Sequence, residues 1–355
     1  MASADQREVR VAVDMMGGDS APGTTVDGAL CAVRADPLLR VVLVGPRDVA
    51  VRLLHAGGGS DRVTVEDATQ VVGMGEDPVR AVRAKRAASV RVAARLVRDG
   101  DADAFVSAGS TGATVAAALF TIGRVRGMAR IALAVVVPAA DAPVILLDAG
   151  ASPEVTVEGL TQHAVAGSAY ARVRLGLDAP RVGLLSIGEE AGKGDDVRKR
   201  AYEELSRLDD IDFVGNVEGG DVATGGRADV VVTDGFTGNV LLKGMEGAIA
   251  MATAALASAI GADPALRQAA TLLRPAFEHA AGSIDPDRHG GAVLLGVDGV
   301  TVVGHGASSA TSIRASVTVA ADAVRSGALA TVADAIGRSA ARSRLGRAAG
   351  WLHKS

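Results

Sequence analysis

Lys193 stands between two glycines in LLSIGEEAGKGDDVRKRAYEEL, and His305 stands between two more in VVGHGASSATSI. A cation and a titratable ring on glycine-flanked turns suit a site that receives an anion, because glycine lets backbone amides approach a ligand closely. Only five of the 37 basic residues are lysines, so a lysine in such a turn stands out. Four further corners repeat the pattern. FVSAGSTGATVAAAL runs through Gly109, Ser110, Thr111 and Gly112 into an Ala-rich helix, whose first turn offers unpaired N–H groups and the positive end of its dipole. VAVDMMGGDSAPG places Asp14, Gly17 and Gly18 directly after an apolar run. VVVTDGFTGNVLLKG contributes Asp234, Thr237 and Asn239, and LLDAGASPEVTVEGL contributes Asp148, Gly150 and Ser152.

None of these corners is a standard nucleotide loop. The chain has no G-x-x-x-x-G-K-[ST] loop and no G-x-G-x-x-G after its first apolar run, and its second such run ends in Gly45-Pro46 where a dinucleotide fold places an acid for the ribose. Zinc spacing such as H-E-x-x-H is absent and the six histidines are scattered. A small phosphate or a phosphorylated group fits such a site, with no cofactor and no metal expected.

The corners must be positioned by strands. Candidate strands are 9–13, 40–44, 104–107, 131–137, 144–147, 181–187, 228–233 and 300–303, and they alternate with Ala-, Leu- and Arg-rich helical stretches. Several are apolar on both faces, as in VVLVG, VILLD and ADVVVTD, which predicts helices on both sides. The expected fold is therefore a three-layer α/β/α sandwich with a mainly parallel sheet and its ligand at the carboxyl ends of the strands, gathered at one rim.

Composition sets the outer bounds. With 355 residues and 48% hydrophobic content the chain can bury a large core. A net charge of -4 argues against nucleic acid as a partner. The lone Cys31 can form no internal disulfide; it reads as buried filler in a helical stretch and fits a reducing compartment. MASADQREVR lacks the order of a signal peptide, and no run of about 20 uninterrupted apolar residues is present, so no bilayer span is expected.

Six motifs in order, VAVDMMGGDSAPG, VSAGSTGA, VGLLSIGEEAGKG, FVGNVEGGD, VVTDGFTGNVLLKGMEG and GGAVLLGVDGVTVVGHGASS, resemble the motif series of the acyl-acyl carrier protein:phosphate acyltransferases, the PlsX family, over about residues 9–324. The resemblance implies a cytoplasmic, peripherally membrane-associated homodimer of bacterial phospholipid synthesis. Such enzymes move a fatty acyl group from the carrier protein's thioester to inorganic phosphate, and the acyl phosphate passes to a glycerol-3-phosphate acyltransferase. It also implies a fold like that of phosphotransacetylases and isocitrate dehydrogenases, here one domain over residues 8–337. A helical extension at 244–282 faces a dimer partner or lipid, and a basic tail occupies 338–355.

The chemistry suits the residues, because phosphate is already a nucleophile and a thiolate a fair leaving group. The expected roles follow from that. The amides and hydroxyls of Gly109, Ser110, Thr111 and Gly112 seat phosphate, with Asp14, Gly17 and Gly18 on the floor of the site. Lys193 neutralises phosphate or the oxyanion, and His305 orients phosphate or protonates the thiol. Asn239 and Thr237 hydrogen-bond the acyl carbonyl, while Asp234 fixes its own loop through backbone N–H groups. The chain departs from the family pattern at Ser110, where Asn is usual, and at Ser152, where Ala-Asn usually fills positions 151 and 152; each serine lacks the amide's second donor.

Partners are read from charge and apolarity. PVRAVRAKRAASVRVAARLVR carries seven basic residues and no acid, with Arg91, Arg95 and Arg98 on one helical face. That face is either solvated or a docking surface for an acidic carrier protein. GAIAMATAALASAIGADPALRQAATLLRPAFEHAAG reads as two helices broken at Asp263-Pro264. The tail GRSAARSRLGRAAGWLHKS either frays or lies on anionic lipid. Two alternatives use similar scaffolds: a coenzyme A-dependent phosphotransacetylase and an NADP-linked dehydrogenase.

Overall fold

Strands that are apolar on both faces need neighbours on both edges and helices above and below, and the chain supplies them in one 11-stranded sheet. The computed structural model describes residues 7–284, 290–306 and 308–352. In chain order the strands are β1 (Val9–Asp14), β2 (Leu39–Gly45), β3 (Val63–Asp67), β4 (Ala104–Ser107), β5 (Ala132–Val137) and β6 (Val144–Leu147). β7 (Arg181–Leu185), β8 (Asp212–Val217), β9 (Val230–Val232), β10 (Ala292–Leu295) and β11 (Val300–Val303) complete the set. Across the sheet they follow the order β3-β2-β1-β4-β11-β10-β5-β6-β9-β7-β8.

The sheet is mainly parallel, as the sequence predicts, and helices cover both faces. On one face Val9, Val11 and Val13 of β1 share one continuous core with Leu30, Leu160 and Ile313 from the helices Gly23–Ala35, Val157–Arg174 and Ala310–Arg325. On the other, Ala12, Val42 and Phe105 pack with Val92 and Ala116 from Ser89–Asp99 and Thr111–Ala117. Each fully buried Val or Leu contributes about 1.5–3 kcal/mol.

The site does not lie at one rim. The pairs β11–β10, β10–β5 and β5–β6 are antiparallel, so the strands on the β6 side of the sheet run against those on the β4 side. Their carboxyl ends nevertheless meet. Ala292 pairs with Val303 and Val293 with Ala134, which sets the end of β11 level with Val135. Val135 pairs with Leu146, which sets the end of β6 level with Ala134. The two families of corners thus open over the middle of β5, about 3.3 Å apart along the strand.

Three strands escape the sequence reading for local reasons. β3 is a short edge strand ending in Glu66 and Asp67, β8 is kinked at Gly215 (φ 91°) with a register shift against β7, and β10 is four residues between glycines. Cys31 is a correction: it is exposed, while its neighbours Leu30 and Ala32 face the core of the same helix.

The helices Gly235–Ala262 and Pro264–Ile284 follow one another with a break at Asp263, whose Oδ1 accepts from the Ala265 amide at 2.7 Å. The first begins earlier than position 244, inside the Asp234 corner. It is also long and apolar enough to cross a membrane by length and composition, with a mean hydropathy of 1.4 over a window of which none is buried. The sequence expectation of no span counted only uninterrupted apolar residues. The basic tail continues the helix Ala328–Leu352, and residues 353–355 lie outside the described residues.

His163, on Val157–Arg174, is fully buried near Asp148. Burial pulls its imidazole below the ordinary value, and the Asp148 carboxylate offsets only part of that. The unfolded chain therefore binds the extra proton first as pH falls through the ordinary value near 6.5, and stability drops there. Urea unfolding between about pH 7 and about pH 5 should show wild-type stability falling more steeply than that of His163→Leu, which takes up no proton.

Candidate active site

A cavity of about 510 Å³ opens over β5, roofed by the first half of the helix Gly235–Ala262. Asn239, Leu242, Lys243, Glu246 and Ile249 recur every three or four residues along that helix and line the cavity from one face. Gly109, Thr111, Gly304, His305 and Gly306 arrive from the ends of β4 and β11, and Gly150 arrives from the end of β6. Leu133, Val135 and Val137 form an apolar wall beneath. A polar mouth therefore leads into a greasy trench.

The mouth is braced from below. Asp14, 4% exposed, accepts from the Ser107 hydroxyl at 2.8 Å and the Met16 amide at 3.2 Å, and Ser107 Oγ accepts from the Gly109 amide at 3.2 Å. Burial pushes the Asp14 carboxyl up, against the Ser89 and Ser107 hydroxyls and the Met16 amide. A Cβ at Gly17 would lie 2.6 Å from the Gly109 nitrogen, so the first and fourth loops are in backbone contact. Gly18 (φ 112°) turns the chain so that the Asp19 amide reaches the Gly306 carbonyl at 2.8 Å. Asp14, Gly17 and Gly18 are thus set under the Gly109 corner and do not line the cavity, unlike the floor role expected of them.

Ser110 caps the helix Thr111–Ala117, its Oγ accepting from the Ala113 amide at 3.4 Å. The amides of Thr111 and Gly112 find no backbone acceptor among the described residues. They remain as donors at a helix start. Gly112 has a packing reason too, since a Cβ there would meet Pro78 at 2.8 Å.

The opposite corner is held by two acids. Asp148, fully buried, accepts from the amides of Leu133, Gly150, Ala151 and Ser152 at 2.8–3.0 Å. Gly238 lies so close that a Cβ would fall 1.9 Å from the Asp148 carbonyl oxygen, and this contact seats the helix that carries Asn239. Asp234 caps that helix through the Thr237 amide and hydroxyl, both at 2.8 Å. Arg198, which the sequence reading passes over, reaches Asp234 at 2.5 Å, Thr233 Oγ1 at 3.1 Å and Thr237 Oγ1 at 3.2 Å. Thr237 is committed to this network and does not line the cavity, whereas Asn239 does. Burial alone raises the Asp234 carboxyl; Thr237 and the Arg198 guanidinium outweigh it and hold the group below the usual range.

Lys193 is half-exposed on its loop, 4.0 Å from Glu190, and is not among the cavity residues. The cation that is there is Lys243. Its Nζ lies 2.8 Å from His305 Nε2 and 2.7 Å from Glu246 Oε2, and all three side chains face the cavity. An ammonium only donates, so His305 Nε2 accepts and its proton sits on Nδ1. The signal was legible in VTDGFTGNVLLKGMEG: Lys243 and Glu246 follow Asn239 by four and seven residues, on one helical face. The basic helix face is largely spoken for. Arg91 donates to the carbonyls of Val82 and Arg83, Arg95 faces Glu66 at 3.6 Å and Arg98 pairs with Asp99 at 2.7 Å.

A three-layer sheet of this kind is the scaffold of phosphotransacetylases. A phosphotransacetylase from Streptococcus pyogenes superposes at a TM-score of 0.58 over 93% of this chain and 94% of that one, with 19% identity. A branched-chain phosphotransacylase from Enterococcus faecalis V583 superposes at 0.55 over 89% and 99%, with 18% identity. These likenesses are of fold. Residues 9–331 match the sequence model of the family described as fatty acid synthesis protein. The chain is 46% identical over 321 residues to a phosphate acyltransferase of Elusimicrobium minutum, covering 90% of this chain and 93% of that one. It is 42% identical over 347 residues to one from Thermobifida fusca, covering 97% and 94%. The chain belongs to this family of acyltransferases, the PlsX family whose motif order it resembles.

The Asp234 corner predicts a pH signature. Because the folded carboxyl titrates lower than the unfolded one, its stabilisation is present above about pH 4 and lost as pH falls through the folded value. Asp234→Asn should cost about 3 kcal/mol at neutral pH, largely by stranding Arg198. Denaturant titrations should show the gap to wild type closing in acid; a gap independent of pH would assign the loss to packing.

Proposed function

We propose that the chain transfers a fatty acyl group from the thioester of acyl carrier protein to inorganic phosphate, yielding acyl phosphate for phospholipid synthesis. The observation that carries this reading is one cavity whose mouth holds Thr111 at a helix start and the Lys243–His305–Glu246 cluster and whose interior is an apolar trench, with Ser110 and Gly112 beside Thr111 but outside the cavity lining. The trench suits an alkyl chain, and the mouth suits an oxyanion.

In this reading the Thr111 and Gly112 amides, with the Thr111 hydroxyl, seat phosphate at the end of β4. A phosphate oxygen attacks the thioester carbonyl carbon, the new C–O bond forms, and the carbonyl oxygen becomes an oxyanion facing Asn239 Nδ2. Collapse breaks the C–S bond, and the thiolate takes its proton from the Lys243 ammonium. His305 and Glu246 hold that ammonium in place before substrate arrives. Attack by an anion on a neutral thioester gathers negative charge, so a fixed cation stabilises the transition state more than the ground state. Lys193 serves as a second cation, on the loop outside the cavity.

The exposed Met251, Leu256, Leu272 and Leu273 of the helical extension support a homodimer and peripheral contact with the cytoplasmic face of the membrane. There the acyl phosphate passes to a glycerol-3-phosphate acyltransferase.

Long-chain acyl carrier protein incubated with the enzyme should release free carrier thiol and form acyl phosphate only when inorganic phosphate is added, without nucleotide or metal. Phosphate-independent thiol release would sink the reading. Lys243→Met should lower kcat/KM for phosphate by about 100-fold or more, on the order of 3 kcal/mol of transition-state stabilisation, and Lys243→Arg should recover only part of the loss, because a guanidinium restores the charge but yields no proton to the thiolate. Lys193→Ala should lose no more than about tenfold, as expected of a screened loop cation.

A further inference from the structure

The segment 78–98 carries seven cations, and their partners divide them. Lys85 holds Glu76 at 2.6 Å, and Arg91, Arg95 and Arg98 are occupied as described above. Arg80, Arg83 and Arg86 are exposed, and no described acid pairs with any of them. Arg80 and Arg83 are carried by the helix Pro78–Ala84, which begins at the mouth, and Arg86 follows it. Pro78 packs on Gly112, next to Thr111, and Met74, just before it, lines the cavity itself. Apolar surface is interleaved with them: Met74 is 63% exposed, Val79 41% and Phe120 49%, with the Arg83 guanidinium 4.4 Å over the Phe120 ring.

Taking the acyl-transfer reading as its basis, we propose that Arg80, Arg83 and Arg86, with Met74, Val79 and Phe120, are the surface on which the carrier protein docks. Its acidic face meets the three unpaired guanidinium groups, and its thioester arm enters the mouth beside Met74. Arg91, Arg95 and Arg98, which the spacing of the sequence singles out, are instead engaged within the chain, by the Val82 and Arg83 carbonyls, Glu66 and Asp99 respectively. Charge selects this occupant. The chain as a whole carries a net charge of -4, so a cluster of unpaired cations at one opening orients an acidic partner as it approaches. Three separate apolar side chains, of which only Met74 lines the opening, offer a bilayer little to bury, whereas the helical extension exposes a long apolar surface.

The test compares wild type with Arg80→Glu/Arg83→Glu in the full chain, using the same acyl group on carrier protein and on coenzyme A. The double variant should raise KM for the acyl carrier protein on the order of tenfold or more, with a shallower dependence on salt. Turnover at saturation and kinetics with the coenzyme A thioester should stay within about twofold, provided both thioesters are accepted. Arg98→Gln should leave both substrates as in wild type. Fluorescence anisotropy of labelled carrier protein reads the same surface without turnover, so a failed activity assay with intact binding would fault the acyl-transfer reading and not the surface. Equal carrier affinity in wild type and the double variant, or no binding by wild type, overturns the proposal. Loss of sedimentation with anionic vesicles while carrier affinity is unmoved also overturns it and assigns the patch to lipid.

Discussion

Everything at the site depends on a reversal of strand direction at the centre of the sheet. β5 pairs antiparallel with both β10 and β6, so it satisfies hydrogen bonds from two half-sheets that run in opposite senses. A wholly parallel sheet would place the Gly109 and His305 corners at one rim together with Gly150 and Asn239. Here they come from opposite sides and meet because β11 and β6 both stop near the middle of β5. The gap between them is the cavity, and the apolar face of β5 becomes its wall.

Acids beside the proposed anion seat call for explanation, and the structure supplies one. Asp14, Asp148 and Asp234 each turn inward and spend their oxygens on amides, hydroxyls or Arg198. Asp14 is pushed by burial toward its neutral form, and Asp234 is neutralised by a guanidinium. None presents a bare carboxylate to the cavity. Among the described residues the one acid lining it, Glu246, is bonded to Lys243. Glycines complete the same scheme: Gly17, Gly235 and Gly238 let loops approach to distances that any Cβ would forbid.

One helix links the site to the outside. Its first turns are pinned by Asp234, Arg198 and the Gly238 contact, its next turns carry Asn239, Lys243 and Glu246, and its remainder is exposed apolar surface. A partner or lipid that orders the outer half would bear on the same rigid element that roofs the trench.

The amino-acid sequence alone determined the alternation of strands and helices, the corners, the break at Asp263 and the family, because these rest on local patterning and on motifs in order. Residues such as Ser110, a cap, and Gly112, a packing point, were visible as a turn although the partner Pro78 was not. Only the tertiary structure decided that the central strands run antiparallel, that Cys31 faces out, that Arg198 completes the Asp234 corner, and that Lys243 rather than Lys193 faces His305. Strand sense and side-chain meetings across tens of residues follow from which surfaces bury one another in the folded chain, and no local window of sequence contains that information.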